Sequence, residues 1–417
     1  MKTTIPRKRP APLAGVGGAI KALTSRGSAG LSDMERQFGE QFAAMVGAPY
    51  GMPVAGARVG LWHMLSWLKE QGREGTVLLP ALTASIVPNV VQAAGFKVGF
   101  VDVHPETFCC GHEEFLGAVD DQTVAIIATH LEGFPVRVDR LAEELKGRNI
   151  FIIEDAAHAP GAEVEGQTVG ALADAAIFSL GKGKQINAID GGVVTTTRPE
   201  LYEHLLAQTE VAAAPGRLAV LKKMSMVLSM QLLTRPFLFD TTLWPGVRLF
   251  ATFGSDPLYD RFVDSTDPLA HAGPPNVGRR LGPAQAILGQ QALSGFQARA
   301  QTRRELWEEW YPLAKECCHV QHPTEGTRPV PLEFAIRCSD RISAQKRLRS
   351  LGIDSQPTCM VSPQQLAAFR NDSIGMYPEA ESLAQTLVYL PFYPDLRASE
   401  RDRIKTMLTD PPDELRK

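Results

Sequence analysis

Phe151-Ile152-Ile153-Glu154-Asp155-Ala156-Ala157-His158-Ala159 is the stretch on which the fold turns. Its opening apolar run lacks polar alternation, as expected for a strand buried on both faces of a parallel sheet. The run ends in an acidic pair. Ligands of open α/β sheets gather at the carboxyl ends of the strands, so a carboxylate at this end has a cation to meet. Upstream, Val77-Leu78-Leu79, Lys97-Val98-Gly99-Phe100-Val101 and Val124-Ala125-Ile126-Ile127-Ala128 read as further strands. Helical patterns over 86–94, stopped by Gly95, and over 138–146 alternate with them. This alternation predicts an α/β chain whose sheet is mixed but mostly parallel.

Downstream, Ala176-Ile177-Phe178-Ser179-Leu180-Gly181-Lys182-Gly183-Lys184-Gln185 is followed by Asp190-Gly191-Gly192-Val193-Val194-Thr195-Thr196. A lysine-bearing loop thus lies between two apolar strands, after an aspartate-ended strand. That order suits pyridoxal 5'-phosphate. The cofactor needs an amine to hold its aldehyde, a carboxylate to keep its pyridine nitrogen protonated, and donors for its phosphate. Lys184, Asp155 and Ser179 supply these; Lys182 is the competing amine. Ala55-Gly56-Ala57-Arg58 precedes a helix expected to begin near Val59. Small residues at such a start let an anion approach the backbone amides, and Arg58 adds charge.

These segments resemble the DegT/DnrJ/StrS type of sugar aminotransferase, a branch of the aspartate aminotransferase fold. The resemblance includes Pro80-Ala81-Leu82-Thr83, Thr129-His130-Leu131-Glu132-Gly133, Glu154-Asp155-Ala156-Ala157-His158-Ala159 and the lysine six residues after Phe178. Late in the chain, Arg280 with Gln285-Ala286, Tyr377-Pro378-Glu379-Ala380 and Leu390-Pro391-Phe392-Tyr393-Pro394 also fit. It implies a fold type I transferase, with a large cofactor-binding domain over 1–278 and a smaller C-terminal α+β domain over 279–417. In that likeness Lys184 is the catalytic lysine and proton shuttle. Asp155 pairs with the pyridinium nitrogen, His158 contacts the ring or its 3-oxygen, and Ser179 with the Gly56-Ala57-Arg58 turn holds phosphate. The implied reaction moves an amino group from a small amino-acid donor, glutamate, to a nucleotide-linked keto sugar in a homodimer. The related dehydratases usually carry histidine where this chain has Lys184. Ala84 departs from the pattern, since many members place there an aromatic that stacks on the ring.

Composition agrees with a soluble globular chain. In 417 residues, 44% hydrophobic and 21% charged content supplies a large core and a second lobe. A net charge of -3 gives no footprint for nucleic acid. The six cysteines include two adjacent pairs and no zinc-like Cys-x-x-Cys spacing, which fits reduced cytoplasmic thiols. The basic opening, Arg7-Lys8-Arg9, lacks the apolar stretch of a secretory signal. Residues 213–275 read as an insertion, apolar within 218–250 but interrupted by Lys222, Lys223, Arg235 and Pro236. It is too short to span a bilayer. The expectation there is an apolar cover beside the active site or at the dimer interface, with peripheral membrane or lipid-linked substrate contact as a further role.

Overall fold

The computed structural model describes residues 4–24, 30–251, 275–366, 369 and 375–417. Its main sheet has seven strands: β1 (Tyr50–Val54), β2 (Thr76–Pro80), β3 (Lys97–Val101), β4 (Thr123–Thr129), β5 (Phe151–Asp155), β6 (Ala175–Ser179) and β7 (Gly192–Thr196). They lie in the order β1-β7-β6-β5-β4-β2-β3. Only β7 runs against the rest, being antiparallel to both β1 and β6. The carboxyl ends of the other six therefore open on one edge. Phe151, Ile152, Ile153 and the inner residues of β4 are buried on both faces, as their uninterrupted apolar sequence requires.

Helices cover both faces. Helix Asp33–Val46 starts at a capping box, in which Ser32 N–H donates to Glu35 Oε2 at 3.0 Å, and stops at left-handed Gly47. Its Phe42 meets Phe178 of β6 edge to face, ring centres 4.8 Å apart. On the other face, helix Ala57–Glu70 packs Leu61, Met64, Leu65 and Leu68 against Val77, Ile127, Ile153 and Ile177.

A second sheet lies in the C-terminal part: β8 (His319–Val320), β9 (Phe334–Arg337), β10 (Gln356–Pro357) and β11 (Leu387–Leu390), in the order β8-β9-β11-β10. All its pairings are antiparallel. Two helices precede it, Pro283–Ser294 and Phe296–Cys317. Arg7, Lys8 and Arg9 reach across to buried carboxylates of this part. Arg7 pairs with Asp354 at 3.0 Å, Lys8 with Glu333 at 2.7 Å and Arg9 with Glu400 at 3.0 Å.

Within the apolar insertion, helix Arg217–Leu233 turns Val220, Met224 and Val227 onto Leu180, Ile186 and Ile189 of the lysine loop. Lys223 also pairs with Asp190 of that loop. Gln231 donates to the Ala11 carbonyl at 2.8 Å, and Arg9 Nε to the Thr234 carbonyl at 3.0 Å. The insertion thus holds both the loop and the N-terminal arm. Residues 252–274 of the insertion lie outside the described residues.

Candidate active site

The end of β5 separates the acidic pair. Glu154 is turned inward, fully buried, and accepts from the amides of Gly170 and Leu172 at 2.9 Å each and from His130 Nε2 at 3.2 Å. It is a structural anchor. Asp155 faces the ligand edge, its Oδ1 accepting from Ala157 N–H at 3.1 Å. Burial raises its pKa, while that amide, Lys184 and His130 pull the other way. A buried carboxylate short of a cationic partner is what a pyridinium nitrogen completes.

Lys184 sits on a loop with little freedom to move. Leu180 N–H bonds to the Gly191 carbonyl at 2.9 Å, and Ala188 N–H to the Leu180 carbonyl at 3.0 Å. Ile189 is held at φ 67°, a strained value for a β-branched residue, with Asn187 Oδ1 accepting its N–H at 2.8 Å. Burial lowers the Lys184 pKa, Lys8 adds to that, and Cys359, Glu132 and Asp155 oppose it. His158 is pushed well below its ordinary value by burial and then by Lys184 and Lys8, so its imidazole is neutral. Its Nδ1 accepts from Glu132 N–H at 3.3 Å, which leaves the ring hydrogen on Nε2.

The other end of the site lies where β1, β6 and β7 meet. Gly56 bridges Gly191, and Ser179 pairs with Gly192. Helix Ala57–Glu70 starts there with Gly56 as a cap that has no side chain to offer, leaving its first turn to an anion. A Cβ on Gly192 would stand 2.7 Å from both Ala57 N and Phe178 O. Gly192→Ala should therefore cost about 1–3 kcal/mol of stability and loosen cofactor retention, read by thermal melts with and without cofactor. Arg58 is exposed on the flank of this turn. Arg280, by contrast, is consumed structurally, by Glu35 and by the carbonyls of Ala212 at 3.1 Å and Gly30 at 2.7 Å.

Sequence reasoning missed several groups on this edge. The side-chain oxygens Thr83 Oγ1, Thr129 Oγ1, Glu132 Oε2 and Gln185 Oε1 are buried without a hydrogen-bond partner. Such atoms are uncommon and await a ligand or a proton. Beside Lys184 an opening is lined by Lys8, Gly183, Arg299, Glu333 and Tyr393. Arg299 Nε there is also buried without a partner. One sequence signal existed for Glu132, the one acid in the mostly apolar stretch from Val124 to Val136. Lys8 and Glu333 gave none, being brought together across 325 positions.

These residues fit pyridoxal phosphate: an amine, a buried carboxylate in want of a cation, and an open helix start beside a serine. The sequence profile of the DegT/DnrJ/EryC1/StrS aminotransferase family matches residues 19–226 and 237–409. This chain belongs to that family. Among curated members, it is 29% identical over 227 residues to the L-glutamine:2-deoxy-scyllo-inosose aminotransferase of Streptomyces fradiae, covering 51% of this chain and 53% of that one. To the GDP-perosamine synthase of Escherichia coli O157:H7 it is 32% identical over 172 residues, 41% of this chain and 47% of that one. The matches thus span about half the length of these curated family members. The sugar aminotransferase CalS13 of Micromonospora echinospora superposes with a TM-score of 0.75 at 19% identity, covering 98% of this chain and 100% of that one. That likeness shows the family's fold type I architecture.

Proposed function

We propose that this chain is a pyridoxal phosphate-dependent aminotransferase that moves an amino group from a small amino-acid donor, glutamate, to a nucleotide-linked keto sugar. The observation that carries it is the meeting of Asp155 and His158 with Lys184 at the carboxyl edge of the sheet, where Lys184 acts on the protonation of both and Asp155 acts on that of Lys184. When bound, the cofactor supplies an aldehyde that takes up the amino group and a ring that accepts electrons from the substrate carbon. The protein does the rest. Gly56, Ala57 and Ser179 bind the phosphate, with Arg58 at the rim. The Asp155 carboxylate holds the ring's protonated nitrogen. Lys184 Nζ, biased by burial toward the free amine, takes a proton from the donor's α-carbon and returns it to the acceptor. Lys8 and Arg299 give the opening a cationic lining suited to a carboxylate or phosphate on the substrates.

The test is to incubate the cofactor-loaded protein with glutamate and a panel of nucleotide-linked keto sugars. Amine product with parallel double-reciprocal lines is the expected result. Retained cofactor converted by glutamate but no amine product would point to a different ketone as acceptor, and cofactor that glutamate does not convert would make the chain a cofactor-binding regulator instead.

The reading further takes residues 1–278 as the cofactor-binding domain and 279–417 as the smaller one, in a cytoplasmic homodimer. It assigns the outer face of helix Arg217–Leu233 to a second copy, an apolar or lipid-linked acceptor, or a membrane surface. Leu218, Leu221, Leu228 and Leu232 are exposed there, Leu218 to 80%, with Phe237 beyond it at 74%. No helix among the described residues is long and apolar enough to cross a membrane. Replacing Leu221, Leu228 and Leu232 by Ser should either halve the sedimenting mass or abolish binding to anionic vesicles. A variant that changes neither removes this face from both roles.

A further inference from the structure

Glu132 is the buried group that the proposed chemistry leaves unused. Its residue is 2% exposed, in a turn (Leu131–Gly133) where its φ is 52°. An acidic residue held in the left-handed region marks a backbone positioned for its side chain or its amide. Both are engaged. The amide donates to His158 Nδ1 at 3.3 Å, and the carbonyl accepts from Leu332 N–H at 2.8 Å. Carboxyl Oε1 accepts from the Tyr389 hydroxyl at 2.6 Å, and that hydroxyl meets Thr358 Oγ1 at 2.7 Å. Oε2 has no hydrogen-bond partner and stands 3.5 Å from His158 Nδ1.

An ionised Oε2 would face the lone pair of a neutral imidazole, acceptor against acceptor. One proton between them removes the conflict. Carried on Oε2, it turns that acceptor into a donor facing the Nδ1 lone pair, which it shares with the Glu132 amide, and so reinforces the ring hydrogen on Nε2. We propose that Glu132 is a positioning residue of the active site, holding a proton against His158 Nδ1 and thereby fixing the tautomer and charge of the histidine beside Lys184. The proposal rests on the aminotransferase reading only for its consequence in catalysis.

The surroundings agree on the direction. Burial and the neighbouring Glu333 raise the Glu132 pKa, while the Tyr389 hydroxyl, Lys184 and Lys8 oppose them, leaving it at about 7. These groups come from β11 and the approach to β9 in the C-terminal sheet, from the lysine loop and from the N-terminal arm; His158 faces it from the segment after β5. The carboxyl therefore keeps its proton through mildly acidic conditions and gives it up to solvent as the pH rises through about 7. The folded chain binds this proton more tightly than the unfolded one does, so its contribution to stability is fully present below the ordinary carboxyl value of 4.5 and is lost as the pH rises from there through about 7.

Three readouts test this on the full-length protein, with Glu132→Gln as the main variant. Its amide is a permanent donor that cannot titrate. First, the wild type should lose more melting temperature than Glu132→Gln as the pH rises from mildly acidic to neutral, with or without cofactor. Second, the nitrogen resonances of His158 in histidine-labelled protein should titrate near neutrality while the ring stays neutral, and should not do so in Glu132→Gln. Third, the pH–rate profile should lose a limb near neutrality in Glu132→Gln. Tyr389→Phe provides a check should the first variant fold poorly. Removing the hydroxyl that stabilises the ionised carboxylate should move the same transitions to higher pH. Unchanged His158 resonances and an unchanged profile in both variants would overturn the proposal. So would a Glu132→Gln effect confined to the acceptor KM, which would make Oε2 a substrate acceptor. Should the protein transfer no amino group, the melting and resonance titrations still decide the matter, so the two readings fail separately.

Discussion

Replacing Lys184 by Ala is expected to lower the rate of amino transfer by about 10²–10⁴-fold or more, the range contributed by a positioned acid–base group. The fold should survive. Lys184 is only partly buried and its N–H, which bonds to the Gly181 carbonyl at 3.0 Å, is retained in the variant. The loop is held by Leu180, Asn187 and Asp190 rather than by this side chain. Removing this amine also takes from Asp155 and Glu132 a positive charge that favours their ionised forms. Both carboxyls should then titrate higher, shifting any residual activity toward alkaline pH. Lys182→Ala serves as the control. It should retain most activity, since Lys182 does not line the opening that Lys184 shares with Lys8 and Glu333. Steady-state rates for the two variants across a pH series check the expectation, and equal losses in both would contradict it.

Asp155→Asn should reduce turnover by about 10²–10³-fold, as when one preorganised electrostatic partner is removed from a reacting centre. It should not reduce the stability of the cofactor-free protein. Burial raises the Asp155 pKa, so its ionised form opposes folding at neutral pH, and this penalty relaxes as the pH falls through the folded-state value. Asparagine carries no such penalty and can still accept from Ala157 N–H through its amide oxygen. The expected pairing is therefore an equal or higher melting temperature with a large loss of rate. A variant that melts lower and turns over normally would show Asp155 to be a cap for the turn at Ala156, with no part in binding a cation.

Much of this architecture was legible because a parallel sheet writes itself as continuous apolar runs. Residues 97–101 are a strand as expected, and the runs at 77–79, 124–128 and 150–153 each fall within one residue or two of β2, β4 and β5. Strand β1 escaped notice for a physical reason. Gly51 and Pro53 weaken its strand signature, and Pro53 is tolerated because β1 is an edge strand paired only with β7. The helix expected near Val59 begins at Ala57, since a glycine cap gives no polar signal. Asp155, Ser179 and Lys184 could be read because each follows a recognisable strand or precedes a Gly-Gly turn. Lys8, Glu333 and Tyr389 could not, because their proximity is created only when the arm and the C-terminal sheet close over the lysine loop.

The central claim, that Lys184 is the amine on which the cofactor is held, is tested most directly by borohydride reduction of the cofactor-loaded protein followed by peptide mass mapping. The account predicts one modified peptide with the reduced cofactor on Lys184. Modification on Lys182, or protein that retains pyridoxal phosphate yet yields no reduced adduct, would contradict it.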